Sequence, residues 1–268
     1  MTGRALFVLL VLSSMARLAA AQTPDTVFLD ELTWTELQAQ IRAGKTTIII
    51  PIGGTEQSGP HMALGKHNVR VKALSEKIAR TLGNALVAPV VAYVPEGNLS
   101  PPTAHMRFPG TVTIPDATFE QVLEYAGRSF RLHGFRDIVL LGDHGGYQKD
   151  EKAVADKLNR EWSGAPVRVH AIEEYYRSTQ TAYVQALKSR GFSDNEIGVH
   201  AGLADTSLML AIDASLVRID RLQAAFKGGA TEGVNGDPRR SSAELGKLAT
   251  QTIVAQTVEA IRKAVAQH

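Results

Sequence analysis

Residues 46–52 have the sequence TTIIIPI, a run of β-branched and apolar residues without polar alternation. Such a run is typical of a strand that is buried on both faces of a parallel sheet. Similar strand-like runs occupy residues 85–94, 137–141 and 167–172. Stretches with apolar residues at helical spacing lie between them, at 68–82, 119–133 and 149–162. This alternation predicts an α/β fold in three layers, with a mainly parallel sheet flanked by helices and right-handed crossovers.

The flanking segments add helices to this core. Thr33 and Glu36 have the spacing of a capping box, which predicts the start of a helix that stops at Gly44. Two later helices are predicted for residues 206–214 and 243–266. We find no repeat, low-complexity tract or linker that would divide the chain, so residues 22–268 are predicted to form a single domain.

The first 21 residues have the features of a signal peptide. Arg4 precedes the short apolar run at 5–12, and small residues at 19–21 form a cleavage site before Gln22. The apolar run is far shorter than the roughly 20 residues that span a membrane. The sequence therefore predicts export to the periplasm or secretion, with a retained N-terminal anchor as the alternative.

Composition excludes several classes of partner and site. Lys and Arg number 29 against 27 Asp and Glu, and loss of Arg4 and Arg17 with the signal peptide lowers the net charge from +2 to zero. A neutral chain without a basic cluster argues against nucleic acid, or a membrane after signal cleavage, as a partner. Cysteine is absent, so a metal ion would have to be bound by His, Asp and Glu.

Polar residues follow the first buried strand directly. The loop at 53–67, GGTEQSGPHMALGKH, contains Glu56, His61 and His67. The carboxyl ends of strands are where open α/β sheets place their ligand sites. Carboxylate and imidazole groups together are ligands for a divalent transition metal, although an ordinary surface loop remains an alternative.

Two further polar clusters occur later in the chain. His144 lies in Gly142-Asp143-His144-Gly145-Gly146 after the strand at 137–141, and glycines on both sides allow a close approach of a ligand. His144 is therefore a ligand or catalytic candidate, with a structural turn residue as the alternative. His200 and Asp205 lie in HAGLADTS at 200–207, where Asp205 is either a site carboxylate or a helix N-cap.

Five segments in the same order resemble the creatininase (creatinine amidohydrolase) family. They are ELTWTELQAQIRAGKTTIIIPIGGTEQSGPHM at 31–62, RFPGT at 107–111, GDHGG at 142–146, HAGLADTSLML at 200–210 and GVNGDPRRSSAELGK at 233–247. The resemblance implies an α/β amidohydrolase that opens cyclic or linear amides. It also implies two water-bridged divalent metals, zinc or manganese, and assembly into homo-oligomers, often hexamers.

Carried over residue by residue, the resemblance is incomplete. Glu56 and His144 coincide with family ligands, and His200 coincides with the histidine implicated in catalysis. Asp205 replaces a glutamate. The bridging aspartate of the family is His67 here, and two further ligand positions are Ser58 and Gly146.

A neutral imidazole offers one lone pair to one metal and cannot bridge two. We therefore predict one divalent metal, with zinc favoured over manganese or iron, bound by Glu56, His67 and His144. His200 would assist proton transfer or stabilise the tetrahedral intermediate, and Asp205 would be a further ligand or a neighbouring carboxylate. Whether Ser58, His61 or Asp143 takes part is left open.

These residues predict a metal-dependent hydrolase of a non-peptide C–N amide bond, cyclic or linear, in a small molecule other than creatinine. The loss of ligands at three positions keeps open a degenerate member that binds a small ligand or metal without turnover. A hydrolase of C–O bonds is a third possibility. Residues 95–109, with His105 and Arg107, are a loop that could cover the pocket.

Overall fold

The computed structural model describes residues 24–267. The predicted signal peptide at 1–21 lies outside these residues and stays a prediction. Within the described range, no helix is long and apolar enough to cross a membrane.

Four parallel strands form one sheet in the order β2-β1-β3-β4. Their bounds are β1 Thr47–Ile52, β2 Ala85–Val87, β3 Asp137–Gly142 and β4 Arg168–Ala171. In the register of the sheet, Thr47 lies opposite both Ala85 and Asp137, and Asp137 lies opposite Arg168. The predicted α/β fold with a parallel sheet is confirmed.

Helices flank the sheet. They are α1 Trp34–Arg42, α2 Lys66–Leu82, α3 Asp116–Leu132, α4 Gln148–Glu161, α5 Glu174–Gln180, α6 Ala182–Lys188, α7 Asp194–Ile197, α8 Leu203–Ile212, α9 Leu222–Gly228 and α10 Ala243–Ala266. Short 3-10 turns include Ala104–Arg107, Gly145–Tyr147 and Pro238–Arg240. The predicted capping box opens α1, with Thr33 N donating to Glu36 Oε2 at 2.7 Å.

Alternate residues of the central strands divide between two hydrophobic cores. Ile49 and Val139 pack with residues of α2, α5, α8 and α10 on one face. Ile48 and Ile138 pack with residues of α3 and α4 on the other face. Every residue of β1 is buried, which explains why its sequence lacks polar alternation.

Several element boundaries differ from the sequence prediction: α3 begins at Asp116 rather than at residue 119, and α8 spans Leu203–Ile212 rather than 206–214. Two further differences bear on the site. Of the run at 85–94, only Ala85–Val87 pairs with β1 as a regular strand. Pro89 has no N–H to donate to a neighbouring strand, and regular pairing ends before it. Helix α2 begins at Lys66 rather than at residue 68, so Lys66 and His67 belong to its first turn. This earlier start turns both side chains toward the carboxyl ends of the strands.

Candidate metal centre

Glu56, in the loop after β1, is fully buried and lies at the centre of the polar cluster. One carboxylate oxygen, Oε1, lies 2.7 Å from His67 Nε2 and 3.4 Å from Lys66 Nζ. The other, Oε2, lies 3.2 Å from His105 Nε2 and 3.6 Å from His144 Nε2. Burial opposes ionisation, but the positive charges of His67 and Lys66 outweigh it and hold the pKa of Glu56 well below its ordinary value.

The loop after β3 positions His144. Tyr147 connects this loop to the first one, because its hydroxyl accepts from His144 N at 3.1 Å and donates to Gly53 O at 2.6 Å. Gly146 N donates to His144 Nδ1 at 3.1 Å and orients the ring. Burial lowers the pKa of His144 to about 4, so the imidazole is neutral at neutral pH and suited to a metal ion.

The segment after β2 adds two groups, Glu96 and His105. Gly54 has φ +146°, and a Cβ there would lie 2.7 Å from Glu96 Oε1, so glycine permits this approach. Glu96 is buried. Its carboxyl oxygens receive no hydrogen bond from an N–H or hydroxyl donor among residues 24–267, although the carboxyl group lies within hydrogen-bond range of Glu56. Burial and the adjacent negative charge of Glu56 raise the pKa of Glu96 to about 9.

His105 is oriented by the Gln57 side chain, whose Nε2 lies 2.9 Å from His105 Nδ1. Burial lowers the pKa of His105. One possible ligand atom from each of Glu56, Glu96, His105 and His144 lies within 4.8 Å of the other three. Glu56 Oε2 accepts no hydrogen bond from the described residues, so unpartnered carboxylate oxygens face two neutral imidazoles. Two carboxylates and two imidazoles form a donor set that fits a divalent metal ion.

A network of charged groups lies beside this cluster. His67 Nδ1 lies 2.5 Å from Asp143 Oδ2, and Arg70 Nε donates to the same oxygen at 2.7 Å. Arg70 Nη1 donates to Asp205 Oδ1 at 2.8 Å, and Lys66 Nζ donates to Asp205 Oδ2 at 3.0 Å. Although burial opposes ionisation, Lys66 and Arg70 hold the pKa of Asp205 well below its ordinary value.

His200 precedes α8 and lies at the edge of the cluster. Its Nε2 donates to the backbone carbonyl of Gln57 at 3.0 Å, and its Nδ1 lies 3.7 Å from Glu56 Oε1. Burial, with a further contribution from Lys66, lowers the pKa of His200 to about 3. Gln57 Nε2 lies 3.1 Å from the same ring nitrogen, so the two contacts of Nε2 favour opposite tautomers; the tautomer that donates to the carbonyl leaves Nδ1 with a lone pair toward the site.

The structure brings together the five residues predicted from the sequence, but only two of them belong to the group of four possible metal ligands. The five are Glu56, His67, His144, His200 and Asp205. Glu56 and His144 belong to the convergent set. His67 contacts Glu56, but both of its ring nitrogens are already engaged, Nε2 by Glu56 and Nδ1 by Asp143 and Arg70, so His67 lies outside the convergent set. Asp205 lies in the first turn of α8, whose N-cap is Gly202, and contacts buried cations. Metal ligation and catalysis by these residues stay predictions.

The structure also shows the contacts of two residues, Asp143 and His61, whose part in the site the sequence left open. Asp143 accepts from His67 and Arg70, and His61 Nε2 lies 2.9 Å from Thr206 Oγ1. Sequence reasoning missed Glu96, Lys66 and Arg70. For Glu96 a signal existed, since this acid follows a strand-like run and therefore lies at the same edge of the sheet as the other two loops.

Two openings lie against the cluster. One cavity is lined by residues of α2, α5, α6 and α8, such as Lys66, Tyr176 and Asp205, and by the loop residues His144 and His200. A neighbouring cleft of about 540 Å³ runs between the 104–108 segment and the 230–235 loop, and its wall includes His105 and His200. Both give a small molecule access to the edge of the cluster.

Fold and site together define a class: an α/β protein that presents a Glu and His cluster, able to bind a metal, at the carboxyl edge of a parallel sheet. Residues 30–261 match the model of a family described as Creatininase: Creatinine amidohydrolase. The chain belongs to the creatininase family, as the five sequence segments predict.

Relatives in this family are hydrolases. The creatinine amidohydrolase of Pseudomonas putida is 31% identical over 202 residues, covering 74% of this chain and 76% of the relative. The mycofactocin precursor peptide peptidase of Mycolicibacterium smegmatis is 30% identical over 193 residues, covering 70% and 66%. The 3-dehydro-scyllo-inosose hydrolase of Thermotoga maritima is 25% identical over 202 residues, covering 71% and 58%.

Solved structures agree with the fold. A crystal structure of creatinine amidohydrolase has a TM-score of 0.73 and 28% identity, covering 90% of this chain and 98% of that chain. A mutant creatininase described as Zn-Zn type has a TM-score of 0.73 and 29% identity, covering 90% and 99%. These comparisons support the hydrolase class; the peptidase shows that a restriction to non-peptide amides does not follow from family membership.

Proposed function

We propose that the protein is a metal-dependent hydrolase of a C–N amide bond, cyclic or linear, in a small molecule other than creatinine. One divalent ion, with zinc favoured over manganese or iron, would be held by Glu56, Glu96, His105 and His144. The observation that carries the proposal is the convergence of unpartnered, buried carboxylate oxygens of Glu56 and Glu96 on two neutral imidazoles. The proposal takes Glu96 and His105 in place of His67.

A bound divalent metal polarises a carbonyl and lowers the pKa of its water to about 7. The side chains around the cluster have separate tasks. His200 Nδ1 accepts a hydrogen bond from a water or substrate group in the tautomer whose Nε2 donates to the Gln57 carbonyl. Asp205 holds Lys66 and Arg70 in place. Ligation through Nε2 of His105 requires the proton on Nδ1. Gln57 presents Nε2 to Nδ1 while its Oε1 accepts from Gly59 N at 2.9 Å, so metal binding at His105 would require the Gln57 amide to reorient and give up that hydrogen bond.

The experiment separates metal binding from turnover. Metal content is measured by elemental analysis and calorimetric titration for the wild type, Glu56→Gln and His105→Ala, with the exposed Glu259→Gln and His133→Ala as matched controls. We expect one equivalent in the wild type and in both controls, and loss of affinity in the two cluster variants. Equal affinity in all five proteins would refute the ligand set.

Turnover is then tested on cyclic amides, linear amides, dipeptides and lactones with added zinc, manganese or iron. Hydrolysis that a chelator abolishes and one metal restores supports the enzyme. Ligand binding without turnover under every condition supports instead the degenerate family member, for which the fixed cations Lys66 and Arg70 beside the cluster are the structural argument. Cleavage of lactones alone would identify the leaving group as an alcohol.

Export and assembly are proposed on other grounds. We propose that residues 1–21 are removed during export, since the charged, apolar and small-residue regions follow the order of a signal peptide. Amino-terminal sequencing of the periplasmic fraction should begin at Gln22. Assembly into a homo-oligomer rests on the family resemblance, and light scattering coupled to gel filtration measures it.

A further inference from the structure

Lys66 has an unusual environment for a lysine. Its side chain is 1% exposed, although lysine is almost never fully buried unless it is paired. Lys66 lies in the first turn of α2, where the helix dipole disfavours a positive charge. His67 and Arg70 follow on the same helix. Because the helix end works against the charge of Lys66, the carboxylates that face this side chain must account for its position.

The ammonium of Lys66 lies between two carboxylates from different parts of the fold. It is 3.0 Å from Asp205 Oδ2, in the first turn of α8, and 3.4 Å from Glu56 Oε1, in the loop after β1. Asp205 Oδ2 also accepts from Ala201 N at 3.0 Å, which fixes the carboxylate. Lys66 therefore joins the rim of the cavity to the centre of the Glu and His cluster.

Glu56 divides its two oxygens between different kinds of neighbour. Oε2 faces His105 and His144 and has no hydrogen-bond partner among the described residues. Oε1 faces Lys66 and His67. A carboxylate can bridge two positive centres, one on each oxygen. In this chain Oε2 of Glu56 is open to a metal ion, whereas Lys66 and His67 contact Oε1.

We propose that the Lys66 ammonium is a built-in second cation, standing where a second divalent ion would otherwise lie between Glu56 and Asp205. The centre then binds one metal ion and works as a metal–ammonium pair. Lys66 is a positioning residue, since its ammonium contacts both carboxylates and holds them at a fixed separation. This inference rests on the proposed metal centre, and it adds Lys66 to the changed positions Ser58, His67 and Gly146 as a reason why the centre would hold a single ion.

Charge balance supports the assignment. Arg70 contacts Asp143 and Asp205, and Lys66 contacts Glu56 and Asp205, so each carboxylate beside the cluster has a lysine or arginine neighbour. Removing Lys66 leaves Glu56 Oε1 and Asp205 Oδ2 without their shared cation. One buried carboxylate oxygen, from Glu56, and one partly exposed oxygen, from Asp205, then face each other beside a cavity, and their negative charge suits a divalent ion.

The test counts metal ions in Lys66→Gln and in Lys66→Arg, which keeps the positive charge. Purified proteins are equilibrated with excess zinc or manganese, freed of unbound metal and analysed for metal and protein content. We expect one equivalent in the wild type and Lys66→Arg, and two in Lys66→Gln. Lys152→Gln makes the same charge change at the surface, where Lys152 pairs with Asp156, and should retain one.

The double variant Lys66→Gln/Asp205→Asn sharpens the test, because it removes one cation and one carboxylate together. We expect the double variant to bind one equivalent of metal, as the wild type does. Circular dichroism and thermal melting check folding, and manganese in all buffers keeps Lys66→Gln folded if the extra charge destabilises it without metal.

The possible failures are distinct. One equivalent or none in folded Lys66→Gln, with one in the wild type, overturns the role of Lys66 while leaving the metal centre standing. Two equivalents in the wild type overturn it as well. No metal in the wild type overturns the proposed metal centre, and the role of Lys66 with it.

Discussion

Glu96 is the residue whose replacement tests the cluster most directly. Its carboxyl group is buried, receives no hydrogen bond from an N–H or hydroxyl donor among the described residues, and lies close to the charge of Glu56. Glu96→Gln keeps the shape of the side chain but removes its ability to ionise. We expect the metal-free variant to be more stable than the metal-free wild type at neutral pH, and to bind metal more weakly.

The magnitude follows from the pKa of Glu96, which rises from an ordinary value of 4.5 to about 9 on folding. Because the folded pKa is the higher one, the stability that Glu96 contributes is complete below pH 4.5 and is lost as the pH rises through 9. Each pH unit in that window changes the free energy of unfolding by about 1.4 kcal/mol. At pH 7 the variant should therefore be more stable than the wild type by about 3 kcal/mol, as an order of magnitude.

The assay is urea unfolding of both proteins at pH 5, 7 and 9 in the presence of a chelator, and again with saturating metal. With saturating metal, the wild type should become the more stable of the two proteins. A ligand at 1,000 times its dissociation constant stabilises the folded state by about 4 kcal/mol, and the variant binds the metal more weakly. Glu259→Gln, a change at the surface, is the control and should show no pH trend. A stability difference between Glu96→Gln and wild type that stays flat from pH 5 to 9 would refute the reasoning.

Three further substitutions probe the surroundings of the cluster. Tyr147→Phe removes the acceptor of two backbone N–H groups and should lower the free energy of unfolding by about 1–3 kcal/mol in urea melts; an unchanged value would mean that water replaces the hydroxyl. Arg70→Met leaves two carboxylates without their shared cation and should cost about 3–5 kcal/mol, against a negligible effect of the exposed Arg160→Met. His200→Gln should keep its metal while kcat falls about 100-fold or more, and loss of metal instead would make His200 a ligand.

Local patterns predicted the sheet well because burial decides its composition. Residues 46–52 are apolar on both faces since β1 lies at the centre of the sheet, and the capping box at Thr33 forms through neighbouring residues alone. The short β2 strand was overestimated, because a run of apolar residues does not show where ladder pairing stops.

The cluster was only partly predictable, because its membership depends on contacts between distant segments. Glu96 and His105 reach Glu56 when the chain folds back over the first loop, where Gln57 N donates to Thr111 Oγ1 at 3.1 Å and Val112 N donates to Thr55 O at 3.0 Å. No local pattern encodes these contacts. His67 is an imidazole at a ligand position in the sequence, but its partners Asp143 and Arg70 are visible only in three dimensions.

The four residues of the cluster follow three different strands, β1, β2 and β3, so none of them meets another until these strands lie side by side. A fragment that lacks any one strand cannot assemble the donor set. The metal site is therefore complete only when β1, β2 and β3 are all in place, and metal affinity measures how cooperatively these strands fold. A bound ion should slow the hydrogen exchange of β1, β2 and β3 amides together, since it protects only the state in which all three strands are paired.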